Sequence, residues 1–227
     1  MDETFSRARM VMGDEAIERL ARCSVAVFGI GGVGRLLLID SDRVAQSNIN
    51  RQLIALRSTV GRLKVEVMAE RIRDINPAAR VETYPVFYGA ETAEQIPFSG
   101  LDYISDAIDT VSSKLLLIRQ AAEAGVPIIS SMGTGNKLDP SRLELTDLSK
   151  TSVCPLARVM RRELKKQGIT HLRVLYSQET PISPKYPPED GANPARRGTP
   201  GSVSFVPPVG GLMIAGEILR KLSGIET

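Results

Sequence analysis

The stretch VAVFGIGGVGRLLLIDSDRV, residues 25–44, contains the features that decide the fold. An apolar run, Ser24–Phe28, leads into a glycine-rich turn, and a second apolar run, Leu36–Ile39, ends in Asp40. Such near-continuous apolar runs are typical of parallel strands that are buried on both faces of a sheet. The turn, GIGGVG, matches the G-x-G-x-x-G pattern in which a backbone wraps a phosphate after a strand.

The connection between the two apolar runs is too short for a helix. Parallel strands are joined by a crossover of about a dozen residues or more, which is usually a helix. Here a single residue, Arg35, separates Gly34 from Leu36. Two interpretations stay open: an antiparallel hairpin with a glycine turn, or a nucleotide-binding scaffold that lacks its first crossover helix.

The chain up to about residue 135 alternates between helical and strand-like segments. Helices are predicted over residues 14–22 and 61–75 and from Ser112 or Ser113 to about Gly125; strands are predicted over residues 81–87, 101–107 and 126–131. This βαβα alternation predicts an α/β fold, a Rossmann-like, doubly wound and mostly parallel sheet.

Beyond residue 136 the pattern changes to a C-terminal elaboration. It comprises a short strand-like piece, a basic helix, another strand, a Pro-rich loop and an apolar-faced helix, at residues 143–150, 155–167, 174–178, 181–200 and 209–222. We interpret residues 1–227 as a single domain, with a nucleotide-binding core over 1–135 and a substrate-facing elaboration over 136–227.

The composition of the 227-residue chain argues against several classes of protein. Its two cysteines, Cys23 and Cys154, are far apart and form no CxxC pair, which argues against a disulfide framework or a four-cysteine zinc site. The net charge of +3 permits an anionic partner without requiring one. Because the sequence has neither an apolar signal peptide nor an apolar run of about 18 residues, we expect a cytoplasmic protein without a membrane span.

Four motifs follow the second apolar run. They are D-x-D-x-V at residues 40–44, S-N-x-N-R-Q at 47–52, V-G-x-x-K at 60–64 and I-N-P at 75–77. Together they resemble the ATP-binding core of the ubiquitin-activating-enzyme-like adenylyltransferases, the ThiF/MoeB/HesA family. In that family a helix follows the glycine loop and commonly ends in another Gly-Val-Gly, so this chain looks as if it passes from the first Gly-Val-Gly straight to the second.

A missing crossover helix has a predicted cost. It would uncover one face of the central strands, and exposing several side chains at about 1.5–3 kcal/mol each rivals the stability of a typical domain. We therefore expect poor solubility or weak ATP binding if the short connection is genuine.

The resemblance implies a site for ATP and Mg²⁺. Backbone contact to ATP would come from Gly29, Gly31, Gly32 and Gly34. Asp40, with Asp42 beside it, would hold the ribose hydroxyls. The phosphates would be lined by Asn48, Asn50, Arg51 and Gln52. Lys64 would lie against the phosphates, and Asp109, followed by Thr110, would bind Mg²⁺.

The same resemblance names the candidate catalytic residues, which are Arg51, Lys64, Asp109 and Arg7. Arg7, in the sequence FSR, would reach the phosphates of the partner subunit, which implies a homodimer. The alternative is an arginine in a flexible tail. For Asp109, the alternative is an aspartate that caps the following helix.

One argument for an anion site does not need the family. Arg62 and Lys64 are expected in the first turn of a helix, whose positive end disfavours cations. Two cations there are explained if an anion binds between them. The alternative is a solvated helix start.

The second half of the chain is similar to one subfamily, the tRNA threonylcarbamoyladenosine dehydratases. The similar segments are residues 129–151, 155–169, 174–181 and 201–217. The resemblance implies that ATP activates the carboxylate of threonylcarbamoyladenosine in tRNA. The side chain's carbamoyl group then attacks, AMP leaves, and a cyclic product forms with net loss of water.

Two other functions stay open. The first is an adenylyltransferase that activates the C-terminal glycine of a small sulfur-carrier protein, although such enzymes usually carry two CxxC pairs that this chain lacks. The second is a non-enzymatic binding module. The partners left open include a cysteine desulfurase or another sulfur-acceptor protein.

The predicted helix after Pro155 has a cationic stripe that favours a nucleic-acid partner. The stripe consists of Arg158, Arg161, Arg162, Lys165 and Lys166. A solvated helix face is the alternative. Cys154 immediately precedes this helix, so it is a candidate nucleophile or sulfur acceptor; the alternative is a structural cysteine.

Overall fold

The computed structural model describes residues 5–28, 34–183 and 200–225. Its core is a seven-stranded sheet of order β3-β2-β1-β4-β5-β7-β6. The strands are β1 Ser24–Phe28, β2 Arg35–Ile39, β3 Arg80–Tyr84, β4 Tyr103–Asp106, β5 Ile128–Ser131, β6 Leu143–Asp147 and β7 Arg173–Ser177. Every neighbouring pair is parallel except β6 and β7, which are antiparallel. The predicted α/β fold with a mostly parallel, doubly wound sheet is confirmed.

Six α-helices accompany the strands in the described part of the chain. They are α1 Ser6–Met12, α2 Asp14–Leu20, α3 Lys64–Ile75, α4 Val111–Ala124, α5 Pro155–Lys166 and α6 Val206–Ser223. Short 3-10 turns occur at Gln46–Asn48, Arg57–Thr59, Ala93–Gln95, Pro140–Arg142 and Leu148–Lys150. Among the residues described, no helix is both long enough and apolar enough to cross a lipid bilayer.

The predicted start of α4 was wrong. Thr110 is the N-cap residue, so Ser112 and Ser113 lie inside the helix rather than at its cap. The predicted end is confirmed, because Gly125 follows the helix with a φ of 67°. Glycine adopts this left-handed conformation without the steric cost that a Cβ atom imposes. Most of the predicted Pro-rich loop lies outside the described residues.

The connection between β1 and β2 is not a hairpin. The two strands are parallel, with Ser24 opposite Arg35 and Val27 opposite Leu38. The antiparallel interpretation is therefore wrong, and the chain passes between parallel neighbours with six residues, 29–34. That is about half the usual minimum for a parallel crossover.

The expectation that this short connection uncovers one face of the strands was also wrong. Leu36 and Leu37, which point to opposite faces of β2, are both 0% exposed. On one side β1 and β2 pack with residues of α3 and α6; on the other they pack with α4 and with the segment around residues 88–101. The surrounding elements thus bury both faces of the two strands, including the one that a crossover helix was expected to cover.

Candidate nucleotide-binding site

The polar motif residues lie at the carboxyl edge of the sheet. Strands β1, β2 and β4 are parallel, so Asp40, which follows β2, and the residues that follow β4 meet at the same edge. In the strand order, β1 stands between β2 and β4, and the chain is wound in opposite directions from this point. Ligands of doubly wound sheets bind in the crevice at such a switch point.

Lys64 joins the acidic residues after β2. Its side chain is almost buried, and its Nζ lies 2.6 Å from Asp42 Oδ2 and 3.9 Å from Asp40 Oδ2. Lys64 is the first residue of α3, and its backbone N–H donates to the carbonyl of Asp42 at 3.0 Å. The two carboxylates offset the unfavourable position of a cation at the positive end of a helix.

Arg62 does not share this position, which corrects the argument for two cations in one helical turn. Helix α3 begins at Lys64, so Arg62 lies before it. The guanidinium of Arg62 donates a hydrogen bond to Glu70, on the exposed side of α3. Only Lys64 is left as a cation of the predicted anion site.

Asp40 lies in a partly desolvated, acidic environment. Burial raises the pKa of its carboxyl group; the charges of Asp42 and Asp109 raise it further, whereas the Asp42 N–H and Lys64 lower it. The Asp42 N–H donates to Asp40 Oδ1 at 2.8 Å. The influence of Asp109 places that exposed carboxylate within electrostatic range of Asp40, as expected if both serve one nucleotide.

The S-N-x-N-R-Q motif forms a compact turn. Asn48 is buried and its Oδ1 accepts the N–H of Ala45 at 3.0 Å, while its carbonyl accepts the N–H of Gln52. Arg51 donates to the carbonyl of Ser47 and to Asn50 Oδ1, both at 2.9 Å. Asn48 therefore shapes the turn, and Arg51 is held over it.

Asn50 makes a contact that sequence reasoning missed. Its Nδ2 donates to the carbonyl of Ser202 at 2.9 Å, across 152 residues of chain. The segment around Ser202 is fixed on its other side by Asn136, whose Oδ1 accepts the N–H of Gly201 at 2.7 Å. These bonds bring the end of the C-terminal elaboration against the motif turn.

Asp109 and Thr110 lie in the turn between β4 and α4. Asp109 is exposed and accepts a hydrogen bond from the Thr110 hydroxyl at 3.3 Å. Thr110, not Asp109, is the N-cap residue, and its side chain makes no capping hydrogen bond within the described residues. The carboxylate of Asp109 is thus free of a capping role.

Of the four glycines predicted to contact ATP, only Gly34 lies within the described residues. Gly29, Gly31 and Gly32 lie outside the described residues. Gly34 lies at the amino edge of the sheet, where an added Cβ would come within 2.2 Å of the Ala21 carbonyl oxygen. Because β2 separates it from Asp40 by about 20 Å of strand, the structure does not bring Gly34 together with Asp40 and Lys64.

The remaining predicted residues lie elsewhere. Arg7 is exposed on α1, which packs against α2. Cys154 is 3% exposed and precedes α5 in an apolar cluster, an environment that favours the structural interpretation.

A second group of buried polar residues was not predicted from the sequence. Lys137 donates to the backbone carbonyl of Glu179, and the Glu179 carboxylate accepts the N–H groups of Leu138 and Asp139. Burial lowers the pKa of the Lys137 ammonium, and the nearby Cys154 and Glu179 partly offset that effect. No periodicity or motif marks these residues as partners.

The five cations of α5 differ in their surroundings. Arg161 donates to the carbonyl of Thr151 at 2.8 Å and to its hydroxyl group. Arg162 and Lys166 each form an ion pair of 2.7 Å with Glu163. Within the described residues, Arg158 and Lys165 form no ion pair, and both are exposed.

A groove runs along this helix. It has a volume of about 480 Å³ and is lined by Leu148, Ser149, Arg158, Arg161, Arg162, Lys165, Ile169 and Thr170. Its polar wall is cationic. Arg161 connects the helix to the turn at residues 148–151 by donating hydrogen bonds to the carbonyls of Leu148 and Thr151. Lys166 does not line it.

Known proteins resemble the chain over nearly its whole length. The ThiF family model matches residues 5–227. The tRNA threonylcarbamoyladenosine dehydratase of Bacillus subtilis is 42% identical over 238 residues, covering 96% of this chain and 94% of that protein. The crystal structure of the Escherichia coli tRNA N6-threonylcarbamoyladenosine dehydratase in complex with ATP is similar with a TM-score of 0.86 and 31% identity, covering 98% of this chain and 94% of that one.

A sulfur-carrier relative is similar over a shorter stretch. The sulfur carrier protein adenylyltransferase of Thermus thermophilus is 35% identical over 131 residues, which cover 52% of this chain and 48% of that protein. The similarity to the dehydratases, in contrast, extends through the C-terminal elaboration.

Proposed function

The chain belongs to the ThiF family, and from that premise we propose that it catalyses the ATP-dependent dehydration of threonylcarbamoyladenosine in tRNA. The observation that carries the proposal is the pairing of Lys64 with Asp40 and Asp42 at the switch point of the sheet; Asp109, which follows β4, comes at the same edge. The full-length similarity to a dehydratase supports this substrate over a sulfur-carrier protein.

The nucleotide lies at the carboxyl edge in this proposal. Asp40 accepts hydrogen bonds from the ribose hydroxyls, a role that suits the two oxygens of a carboxyl group. Lys64 turns from Asp42 towards the phosphates, and Arg51 and Asn50 flank them. An anion there also gains from the positive end of α3.

The donor set fits Mg²⁺ bound together with phosphates. Within the described residues no group of three or more His, Cys, Asp or Glu side chains could hold a metal ion by itself. Mg²⁺ is usually held by one or two carboxylates plus substrate phosphates, and Asp109 is an exposed carboxylate that follows β4, at the same edge of the sheet as Asp40. When bound, Mg²⁺ offsets negative charge on the phosphates.

The reaction first attaches AMP to the substrate carboxylate and then releases it during ring closure. An oxygen of the substrate carboxylate bonds to the α-phosphorus while pyrophosphate leaves. The carbamoyl group of the same side chain then bonds to the activated carbonyl carbon and loses a proton to solvent, and AMP leaves with that oxygen. Lys64 and Arg51 reduce the repulsion between the approaching carboxylate and the phosphates.

A homodimer completes the site in this proposal. Arg7 of the partner subunit reaches the phosphates; the exposure of Arg7, and of Met10 and Val11 at 85% and 88%, on α1 supports an interface there.

The proposal includes a cytoplasmic location and a cysteine desulfurase or other sulfur-acceptor partner. Because all seven strands share one sheet, it also treats residues 1–227 as one domain, with tRNA against the 136–227 elaboration.

The groove beside α5 follows the tRNA backbone in this proposal. Among the described residues, Arg158 and Lys165 have no ion pair and can bind phosphates, whereas Arg162 and Lys166 already share Glu163 as a partner. Arg161 holds the wall of the groove through Thr151. The five cations therefore contribute unequally to tRNA binding.

Substitution of two neighbouring lysines tests whether the cations of α5 contribute unequally to tRNA binding. Lys165→Gln is expected to raise the Kd for tRNA several-fold and to reduce the slope of log K against log salt by about 1, the loss of one phosphate contact. Lys166→Gln removes the same charge but leaves Glu163 paired with Arg162, so its effect should be much smaller. Filter binding at several salt concentrations measures both; equal effects would contradict the assignment of the groove.

The reaction itself is tested with tRNA carrying threonylcarbamoyladenosine. The chain is incubated with this tRNA and Mg-ATP, and the nucleosides are digested and weighed by mass spectrometry. Loss of one water with matching AMP release is the expected result. Unchanged tRNA with a folded protein would contradict the proposal; ATP–pyrophosphate exchange only after addition of a carrier protein would support the adenylyltransferase instead.

A further inference from the structure

A fully buried ion pair lies under the turn that carries Asp109. Lys114 Nζ is 2.9 Å from Asp106 Oδ2, and both side chains are 0% exposed. Asp106 is the last residue of β4, opposite Phe28 of β1 in the sheet. Buried ion pairs often stabilise a protein no more than apolar residues of the same volume, so stability alone does not explain a pair at this position.

The Asp106 carboxylate shapes the chain after β4. Its Oδ1 accepts the N–H of Ile108 at 3.0 Å, and its Oδ2 accepts the hydroxyl of Ser130 at 2.6 Å. The bond to Ile108 folds the backbone into an aspartate turn, in which a side chain binds the N–H two residues later. The next residue is Asp109, so this bond fixes the backbone position from which the Asp109 side chain extends.

Lys114 holds the Asp106 carboxylate in place. It lies in the first turn of α4, where the positive helix end disfavours a cation, and Asp106 offsets this cost. In the part of the chain that the structure describes, the ammonium forms no hydrogen bond of good geometry, so this ion pair is its main polar contact. Without Lys114 the buried Asp106 carboxylate would lose the partner that offsets its charge and fixes its position.

We propose that Lys114, through Asp106 and Ser130, is a positioning residue that holds the 107–110 turn and thereby aims Asp109 at the nucleotide. Lys114 itself does not touch substrate. The inference rests on the proposed function for the role of Asp109, but the effect on the turn is a property of this fold alone.

A double-mutant cycle with Asp109 tests the inference. Lys114→Met is expected to weaken equilibrium binding of Mg-ATP about tenfold, measured by calorimetry, and to speed hydrogen exchange at the Ile108 amide. In an Asp109→Asn background the same substitution should cost little further affinity, because it acts through Asp109. Lys114→Arg keeps the charge and should recover part of the affinity.

A matched control separates positioning from loss of packing. Leu117→Ala also truncates a buried side chain of α4, so it should lower the melting temperature without affecting Ile108 exchange selectively. Equal losses of affinity in both Asp109 backgrounds, or unchanged Ile108 exchange in Lys114→Met, would overturn the inference. If the wild type binds Mg-ATP with this coupling but leaves the tRNA unchanged, the proposed reaction fails and the positioning role stands.

Discussion

Replacing Lys64 by methionine is expected to lower the rate of AMP formation about 100- to 1000-fold, the cost of removing one preorganised charge from a reacting centre. That loss corresponds to about 3–4 kcal/mol of transition-state stabilisation. Lys64 Nζ lies between Asp40 and Asp42 at the switch point, with its side chain almost buried. In the proposed reaction, it is the described cation that we expect to meet the charge developing on the α-phosphate.

The matched control for Lys64 is Arg62→Met. Arg62 lies two residues earlier, is exposed and pairs with Glu70, so its loss removes the same charge without touching the Asp40 cluster. Its expected effect on rate is less than about threefold, since surface ion pairs contribute little. Rates are measured at saturating Mg-ATP and tRNA, with circular dichroism to confirm folding. Equal losses of rate in both variants would contradict a specific role of Lys64 in the reaction.

Local patterns predicted the elements that carry the site. The apolar runs fixed β1 and β2, and the I-N-P motif placed the end of α3 correctly at Ile75. The V-G-x-x-K motif placed Lys64 at the start of a helix, because such a start is decided by neighbouring residues. The wrong first turn for α3, which included Arg62, shows that helix boundaries also depend on tertiary partners.

Contacts between distant segments were beyond the sequence. The bond from Asn50 to Ser202 and the cover that α6 provides for β1 and β2 depend on how the chain returns to the sheet. The pairing of Asp106 with Lys114 had a faint signal, since an aspartate ends an apolar strand and a lysine follows early in the next helix. Nothing in that spacing indicated that both side chains would be fully buried.

The short connection between β1 and β2 is the clearest case of tertiary structure overriding a local expectation. The predicted loss of stability assumed that no other element would pack on the strands. Residues of α3 and α6 fill one face, and α4 with the segment before β4 fills the other. Poor solubility therefore no longer follows from the strands themselves, while ATP binding through the glycine turn is still to be measured.

Replacing Asp109 by asparagine is expected to lower the rate of dehydration about 100-fold and to raise the Mg²⁺ concentration needed for half-maximal rate. The carboxylate is exposed, has no capping role and lies within electrostatic range of Asp40. An amide keeps the size of the side chain but removes the anionic ligand that Mg²⁺ prefers. In the presence of EDTA the same variant should bind ATP as well as the wild type or better, because a negative charge near the phosphates is gone.

This opposite response with and without metal ion distinguishes a metal ligand from a structural residue. Asp74→Asn, which removes the same charge from the exposed side of α3, should change neither the Mg²⁺ dependence nor ATP binding in EDTA. Calorimetry with ATP, with and without Mg²⁺, and a Mg²⁺ titration of AMP release give the two readouts. If Asp109→Asn weakens ATP binding equally in both conditions, the carboxylate supports the turn rather than the metal ion, and the Mg²⁺ ligand must be sought elsewhere at this edge.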